Sequence, residues 1–154
     1  MVSRSIQERI TDVEKRFQTN VNAWVASASA TGETWLIPLT FQWNGTDLLL
    51  ATTAKSRTAR NLLRAGVVRL ALGATNDVII VEGSVTAAQG TEIDPARAEA
   101  HAQRAGFDPR QQDDYVYLVV HPRTIQAWSG PAEMADRVVM RDGHWLATAG
   151  RHEP

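Results

Sequence analysis

The chain of 154 residues has no cysteine. Thiol nucleophiles, disulfides and thiolate metal sites are therefore excluded, and the cysteine count says nothing about compartment. It also lacks a surplus of charge of either sign. Sixteen Lys and Arg stand against 17 Asp and Glu, a formal net charge of −1. Nothing in that balance attracts a nucleic acid or an anionic membrane surface, and neither is expected as a partner. No apolar stretch is long enough to span a bilayer. The N-terminal segment, Met1 to Glu14, is polar and helical in pattern, without the apolar run of a leader peptide, so the expected location is the cytoplasm.

Motifs of self-sufficient catalysis are missing as well. The histidines, His101, His121, His144 and His152, show neither His-x-x-x-His nor Glu-x-x-His spacing, so no metal site is expected. There is no Gly-x-Ser-x-Gly elbow, Walker loop or Gly-x-Gly-x-x-Gly. His101 is expected on a polar helix face and His152 in the terminal tail. Asp113, Asp114 and Asp142 read as loop or turn acids. With no nucleophile–base pair, enzymatic chemistry here would come from a bound cofactor, and no catalytic side chain is assigned.

What is present is a mainly β pattern, expected to form a single domain over residues 1–154 with a core at about 20–130. Ser5-Ile6-Gln7-Glu8 is a capping box that predicts a helix to about Thr19, with Ile6, Ile10, Val13 and Phe17 on one face. Ala23 to Ser29 reads as a strand. So does Trp35 to Trp43, which ends at the hairpin signal Asn44-Gly45. Pro38 has no N–H to donate, which marks this strand as an edge or a bulge. Asp47 to Thr52 leads into a helix from Ser56 to Ala65, closed by Gly66 and carrying Ala59, Leu62 and Leu63 on its apolar side. Val67 to Leu72 and Asp77 to Ala87 are further strands, and Asp94-Pro95 opens a helix ending near Gly106. Tyr115 to His121 and Thr124 to Trp128 read as strands split by Pro122, and residues 137–146 as a last hairpin turning at Asp142-Gly143. Seven or so strands, inserted helices and no βαβ rhythm predict an antiparallel barrel.

The most informative segment is Ala51-Thr52-Thr53-Ala54-Lys55-Ser56-Arg57-Thr58-Ala59-Arg60-Asn61-Leu62. An apolar strand runs into a hydroxyl-rich loop, and the loop opens a helix at Ser56. Lys55, Arg57 and Arg60 gather where free backbone N–H groups and the positive end of the helix dipole already favour an anion. Ser56 is a good N-cap and could instead turn its hydroxyl to a phosphate. Arg57, Arg60 and Arg64 form a cationic stripe with no interleaved acid. A first-turn stripe of this kind is often only a solvated face, but the aligned cations make better sense with a phosphorylated ligand on them.

Together with Trp35-Leu36-Ile37-Pro38-Leu39-Thr40-Phe41, Asn44-Gly45, Val68-Arg69-Leu70-Ala71-Leu72-Gly73 and Val81-Glu82-Gly83, this segment resembles the pyridoxamine 5′-phosphate oxidase-like split-barrel superfamily. The segments Pro122 to Trp128 and Met140 to Leu146 are similar to its small actinobacterial members that use flavin or deazaflavin. The resemblance implies a six-stranded split barrel that dimerises, with the cofactor in a groove at the subunit interface. It implies that Ile37, Pro38, Leu39 and Thr40 face the ring, and that Thr52, Thr53, Lys55, Ser56, Arg57 and Arg60 hold the phosphate side; Asn61 and Arg64, farther along the same helix, complete the expected cofactor-binding set. Trp128 is implied beside the ring; the other tryptophans, Trp24, Trp35, Trp43 and Trp145, are expected in core and dimer packing.

The implied activity is hydride transfer between the deazaflavin coenzyme F420 and an unidentified small-molecule substrate. FMN on the same fold is the alternative cofactor, and a carrier or sensor without turnover the alternative role. The pattern departs from true pyridoxamine phosphate oxidases at Thr58, where they have a basic residue, and no match to their C-terminal substrate-binding segment is expected.

Overall fold

The structure, a computed structural model, describes residues 3–147. His152 lies outside the described residues. Helix α1 (Ile6–Thr19) begins as the capping box requires: the Ser5 hydroxyl takes the Glu8 amide at 3.0 Å and the Glu8 carboxylate takes the Ser5 amide at 3.1 Å. Strands β1 (Asn22–Ala28), β2 (Thr34–Thr40), β3 (Gln42–Trp43) and β4 (Leu48–Thr53) follow, then α2 (Arg57–Ala65). The chain continues through β5 (Val67–Ala74), β6 (Asp77–Ala88), α3 (Pro95–Ala105), β7 (Tyr115–Trp128), β8 (Val138–Arg141) and β9 (His144–Trp145). Among the described residues no helix is long and apolar enough to cross a membrane.

All strand pairs are antiparallel and run in the order β2-β1-β5-β6-β7-β4-β3, with β8 added to β7 and β9 to β8. The two ends of that order are neighbours in the chain. The single strand expected over Trp35 to Trp43 is broken at Phe41, so β2 pairs at one edge and β3 at the other, and the sheet curls closed. Counting β2 and β3 as one bent strand recovers a six-stranded barrel with an appended hairpin. The bend has a physical cause in its partners. The Phe41 side chain is 1% exposed, and its amide donates to the Val21 carbonyl one step beyond the Asn22–Thr40 pair, where the β1–β2 ladder ends. The carbonyls freed there are taken by α3: Arg104 Nε donates to Phe41 O at 2.8 Å, and Arg97 Nη2 donates to Gln42 O and Asp47 O. Pro38 sits in β2, which pairs with β1 alone, so its missing N–H costs no ladder bond.

A second correction concerns Pro122, which does not split a strand. β7 is continuous over 14 residues. Glu82 pairs with Thr124 and Gly83 with Pro122, leaving Arg123 as the extra residue of a bulge that absorbs the proline. Gly83 is required by close approach, since a Cβ there would stand 2.4 Å from the His121 carbonyl oxygen. The barrel encloses Val25, Leu50, Leu70, Val81, Leu118 and Ile125, with α1 contributing Ile10, Val13 and Phe17 and α2 contributing Ala59 and Leu62. Each such side chain adds roughly 1.5–3 kcal/mol by leaving water.

Two helix faces differ from the sequence reading. Leu63, expected inside, is 41% exposed. His101, expected on a polar surface, is 2% exposed. Arg97, His101 and Arg104 follow i, i+4, i+7 and share one side of α3. That side packs inward because its arginines are needed at the β2–β3 bend.

Candidate functional site

The loop between β4 and α2 is fixed at both ends. Thr53 pairs with Tyr115 of β7, and the Ala54 amide donates to Asp114 O at 2.8 Å. Ser56 caps α2, its hydroxyl taking the Ala59 amide at 3.1 Å and the Thr52 hydroxyl at 3.4 Å. At the other end Gly66 closes the helix in the left-handed region at φ 73°. The amides of Arg57 and Thr58 have no partner within the helix, and the dipole points its positive end at the same place. Four residues of the loop and helix are exposed cations, and among the described residues none of Lys55, Arg57 and Arg60 has a carboxylate within 4.0 Å. Arg4, Arg9, Arg16, Arg69, Arg97 and Arg110 each reach an acid, whereas Lys15, Arg104, Arg123, Arg137 and Arg141 do not among the described residues, so the α2 cations stand out by their grouping at one helix start.

Arg57, Arg60, Asn61 and Arg64 line a cavity of about 300 Å³ with Ser29, Ala30 and Glu33, so three guanidinium groups face one carboxylate. Two of the four are held by β1. Asn61 Nδ2 donates to Ser27 Oγ at 3.1 Å, and Arg64 Nη2 donates to the Ala28 carbonyl at 2.8 Å. Arg57 is held by an aromatic: its guanidinium carbon lies 4.4 Å from the centre of the Trp35 ring. Asn61 and Arg64 also border a cavity of about 380 Å³ between β1, α2 and β5.

The expected ring-facing strand lies on the other side of the loop. Pro38, Leu39, Thr40 and Thr52 line a separate cavity of about 250 Å³, while Ile37 pairs with Val25 outside it. The sequence-derived site therefore divides into a cationic part and a strand part, joined by the Thr52–Ser56 hydroxyl contact, with Thr53 at the end of β4 and Lys55 on the loop between them. Trp128 is not brought to either part within one protomer. It stands opposite Val78 at the end of β7 remote from Tyr115, with the Arg137 guanidinium 5.9 Å from its ring centre. Thr58 is fully buried and its hydroxyl has no partner. A basic residue at this position of this chain would face the interior.

Sequence reading missed Trp35 as a positioning residue and His101, Phe107 and Tyr115 as cavity walls. Burial pushes the His101 pKa below its ordinary 6.5, with the Thr40 backbone opposing the shift and Arg104 and Arg97 reinforcing it. Its ring is neutral at neutral pH. No metal-holding group of three or more His, Asp or Glu occurs among the described residues.

No curated protein matches the chain in sequence. Solved structures share its fold at low identity. An F420 reductase superposes with a TM-score of 0.62 at 19% identity, over 73% of this chain and 94% of that one. A putative pyridoxamine 5′-phosphate oxidase from Listeria innocua gives 0.63 at 12%, over 79% and 99%. HutZ, a haem storage protein from Vibrio cholerae, gives 0.61 at 13%, over 86% and 96%. Residues 10–129 match the family model of pyridoxamine 5′-phosphate oxidase, and the chain belongs to that family.

Proposed function

We propose that the protein is a cytoplasmic oxidoreductase that binds coenzyme F420 and transfers a hydride between it and a small organic substrate. The observation that carries this reading is the group of unpaired cations, Lys55, Arg57 and Arg60, at the start of α2. The donor set fits the group: hydroxyls of Thr52 and Thr53, free amides at the helix start and three exposed cations suit a phosphodiester. Arg64 extends the stripe along α2, roughly 10 Å from Arg57 at the helical rise, a length that a polyglutamate tail can use. Bound there, the coenzyme supplies or accepts the hydride at its ring. The protein's own residues hold the anionic tail, present the backbone of Pro38 to Thr40 to the ring and exclude water.

FMN has a single phosphate and would engage only the first part of the stripe. An absorption spectrum of the reconstituted protein separates the readings: a single long-wavelength band for F420, two bands for FMN, an intense Soret band for haem. F420 should bind more tightly than FMN and with steeper salt dependence. Arg64→Ala should weaken F420 and spare FMN. Tighter binding of FMN, or an Arg64→Ala variant that alters neither, makes FMN the cofactor. Turnover with a reducible acceptor distinguishes an enzyme from a carrier.

The same reading includes a homodimer. Trp24, Leu36 and Val67 are 52%, 58% and 58% exposed. Cross-strand register places Trp24 opposite Pro38 and Ala71, and Ala26 opposite Leu36 and Arg69, so these side chains share the outer face of β2-β1-β5. An apolar face of this kind suits a second copy, which would also supply the second wall of the cofactor groove.

A further inference from the structure

The cavity of about 300 Å³ beside α2 is cationic, but one acid breaks the pattern. Glu33 shares its wall with Arg57, Arg60 and Arg64, and among the described residues no Lys or Arg nitrogen lies within 4.0 Å of the Glu33 carboxylate. The turn between β1 and β2 fixes the backbone that carries it. Ser29 N donates to Glu33 O at 2.9 Å, Glu33 N to Ser29 Oγ at 3.0 Å and Gly32 N to Ser29 O at 3.0 Å, with Gly32 in the left-handed region at φ 85°. Helix α2 is tied to the strand leading into that turn, since Arg64 Nη2 donates to Ala28 O. Asn61 Nδ2 donates to Ser27 Oγ, which leaves Asn61 Oδ1 as a second acceptor in the wall. The cavity thus combines strong donors with acceptors. An inorganic polyphosphate presents no N–H group, so the arginines would attract it and Glu33 would repel it. A chain of glutamates joined by amides presents carboxylates and N–H groups in turn, and each kind has a counterpart in the wall.

We propose that Glu33 is a specificity-determining residue, which accepts an amide N–H of an oligoglutamyl tail and repels anions of equal charge that have no N–H to donate. This rests on the F420 reading above and adds the feature by which the tail is told from a polyphosphate. Discrimination of this kind needs a repulsive element beside the attractive ones. The arginines supply the attraction and Glu33 the repulsion.

The test titrates the whole chain calorimetrically with tripolyphosphate and with N-acetyl-tri-γ-glutamate, each carrying about four negative charges at pH 7. The wild type should favour the glutamyl chain about fivefold or more. Glu33→Gln removes the charge and keeps an acceptor. It should raise tripolyphosphate affinity about fivefold and change that of the glutamyl chain by less than about twofold, because relieved repulsion is offset by a weaker hydrogen bond. Glu33→Ala removes charge and acceptor together and should abolish or reverse the preference. Glu33 is exposed on a turn, so circular dichroism should be unchanged in both variants. The readout is the ratio of the two affinities. A wild type that favours tripolyphosphate, an equal gain for both probes, or a ratio unmoved in both variants overturns the proposal. If F420 still binds in that case, the cofactor reading stands and only the role of Glu33 falls. If neither F420 nor either probe binds, the cofactor reading falls and this proposal falls with it.

Discussion

Arg57 is poised by Trp35 before any ligand arrives, with 4.4 Å between guanidinium carbon and ring centre. A side chain already held loses less entropy when it takes an anion. Arg57→Ala should weaken cofactor binding by about 1.5–3 kcal/mol, the range for a hydrogen bond to a charged group. Trp35→Leu keeps the charge and should cost only about 0.5–1 kcal/mol. Equal losses in the two titrations would mean that Trp35 itself touches the ligand. His101 makes a different prediction. Neither buried ring nitrogen makes a hydrogen bond of normal geometry, the Thr40 backbone offering only partial support, and the folded pKa is lowered from 6.5 by burial. The unfolded chain therefore binds the proton first. Stability is complete above pH 6.5 and declines as pH falls from there toward the lowered folded pKa. His101→Leu should abolish that decline, measured as urea midpoints at neutral and mildly acid pH; an identical slope in the variant would refute the assignment.

Helix α3 acts on the candidate site through the bend in the barrel strand. Arg104 donates to the carbonyls of Phe41, Gln18 and Asn20, tying the β2–β3 junction to the last turn of α1 and the residue that caps it. Arg104→Ala strands these acceptors and should cost about 1–3 kcal/mol of stability, with a loss of cofactor affinity because Pro38 to Thr40 lead into the bend. Unchanged affinity in a destabilised variant would show that β2 keeps its place unaided. Such couplings mark the limit of what the sequence makes legible. Ser5 with Glu8, Ser56 with Gly66, and Asp94 with Gly106 are local chemistry, and each helix forms where those residues put it. The loop from Thr52 to Arg60 was legible for the same reason: its cations, Lys55, Arg57 and Arg60, fall within one short segment, and one helix start gathers them. The break at Phe41, the continuity of β7 through Pro122 and the inward face of α3 depend on partners distant in sequence. Periodicity cannot see that Arg97 and Arg104 are wanted inside, so their face reads as surface and carries His101 with it. Trp35 escaped notice because its partner Arg57 lies across a hairpin.

The molecule as a whole leaves Trp24 and Leu36 in water on the outer face of β2-β1-β5. Leu36→Asp should shift the light-scattering mass from dimer to monomer at micromolar concentration, and weaken cofactor binding in parallel if the groove needs two walls. A monomeric wild type would sink both expectations. β7 has a wider role than any other strand, since it pairs with β6, β4 and β8. During synthesis β4 and β6 emerge long before residue 115. Until β7 follows, each presents a row of free N–H and C=O groups, and β4, buried over Leu48 to Thr52, is apolar as well. A ribosome paused at α3 would therefore hold a sheet split open along its middle, with two sticky edges waiting for the same late strand.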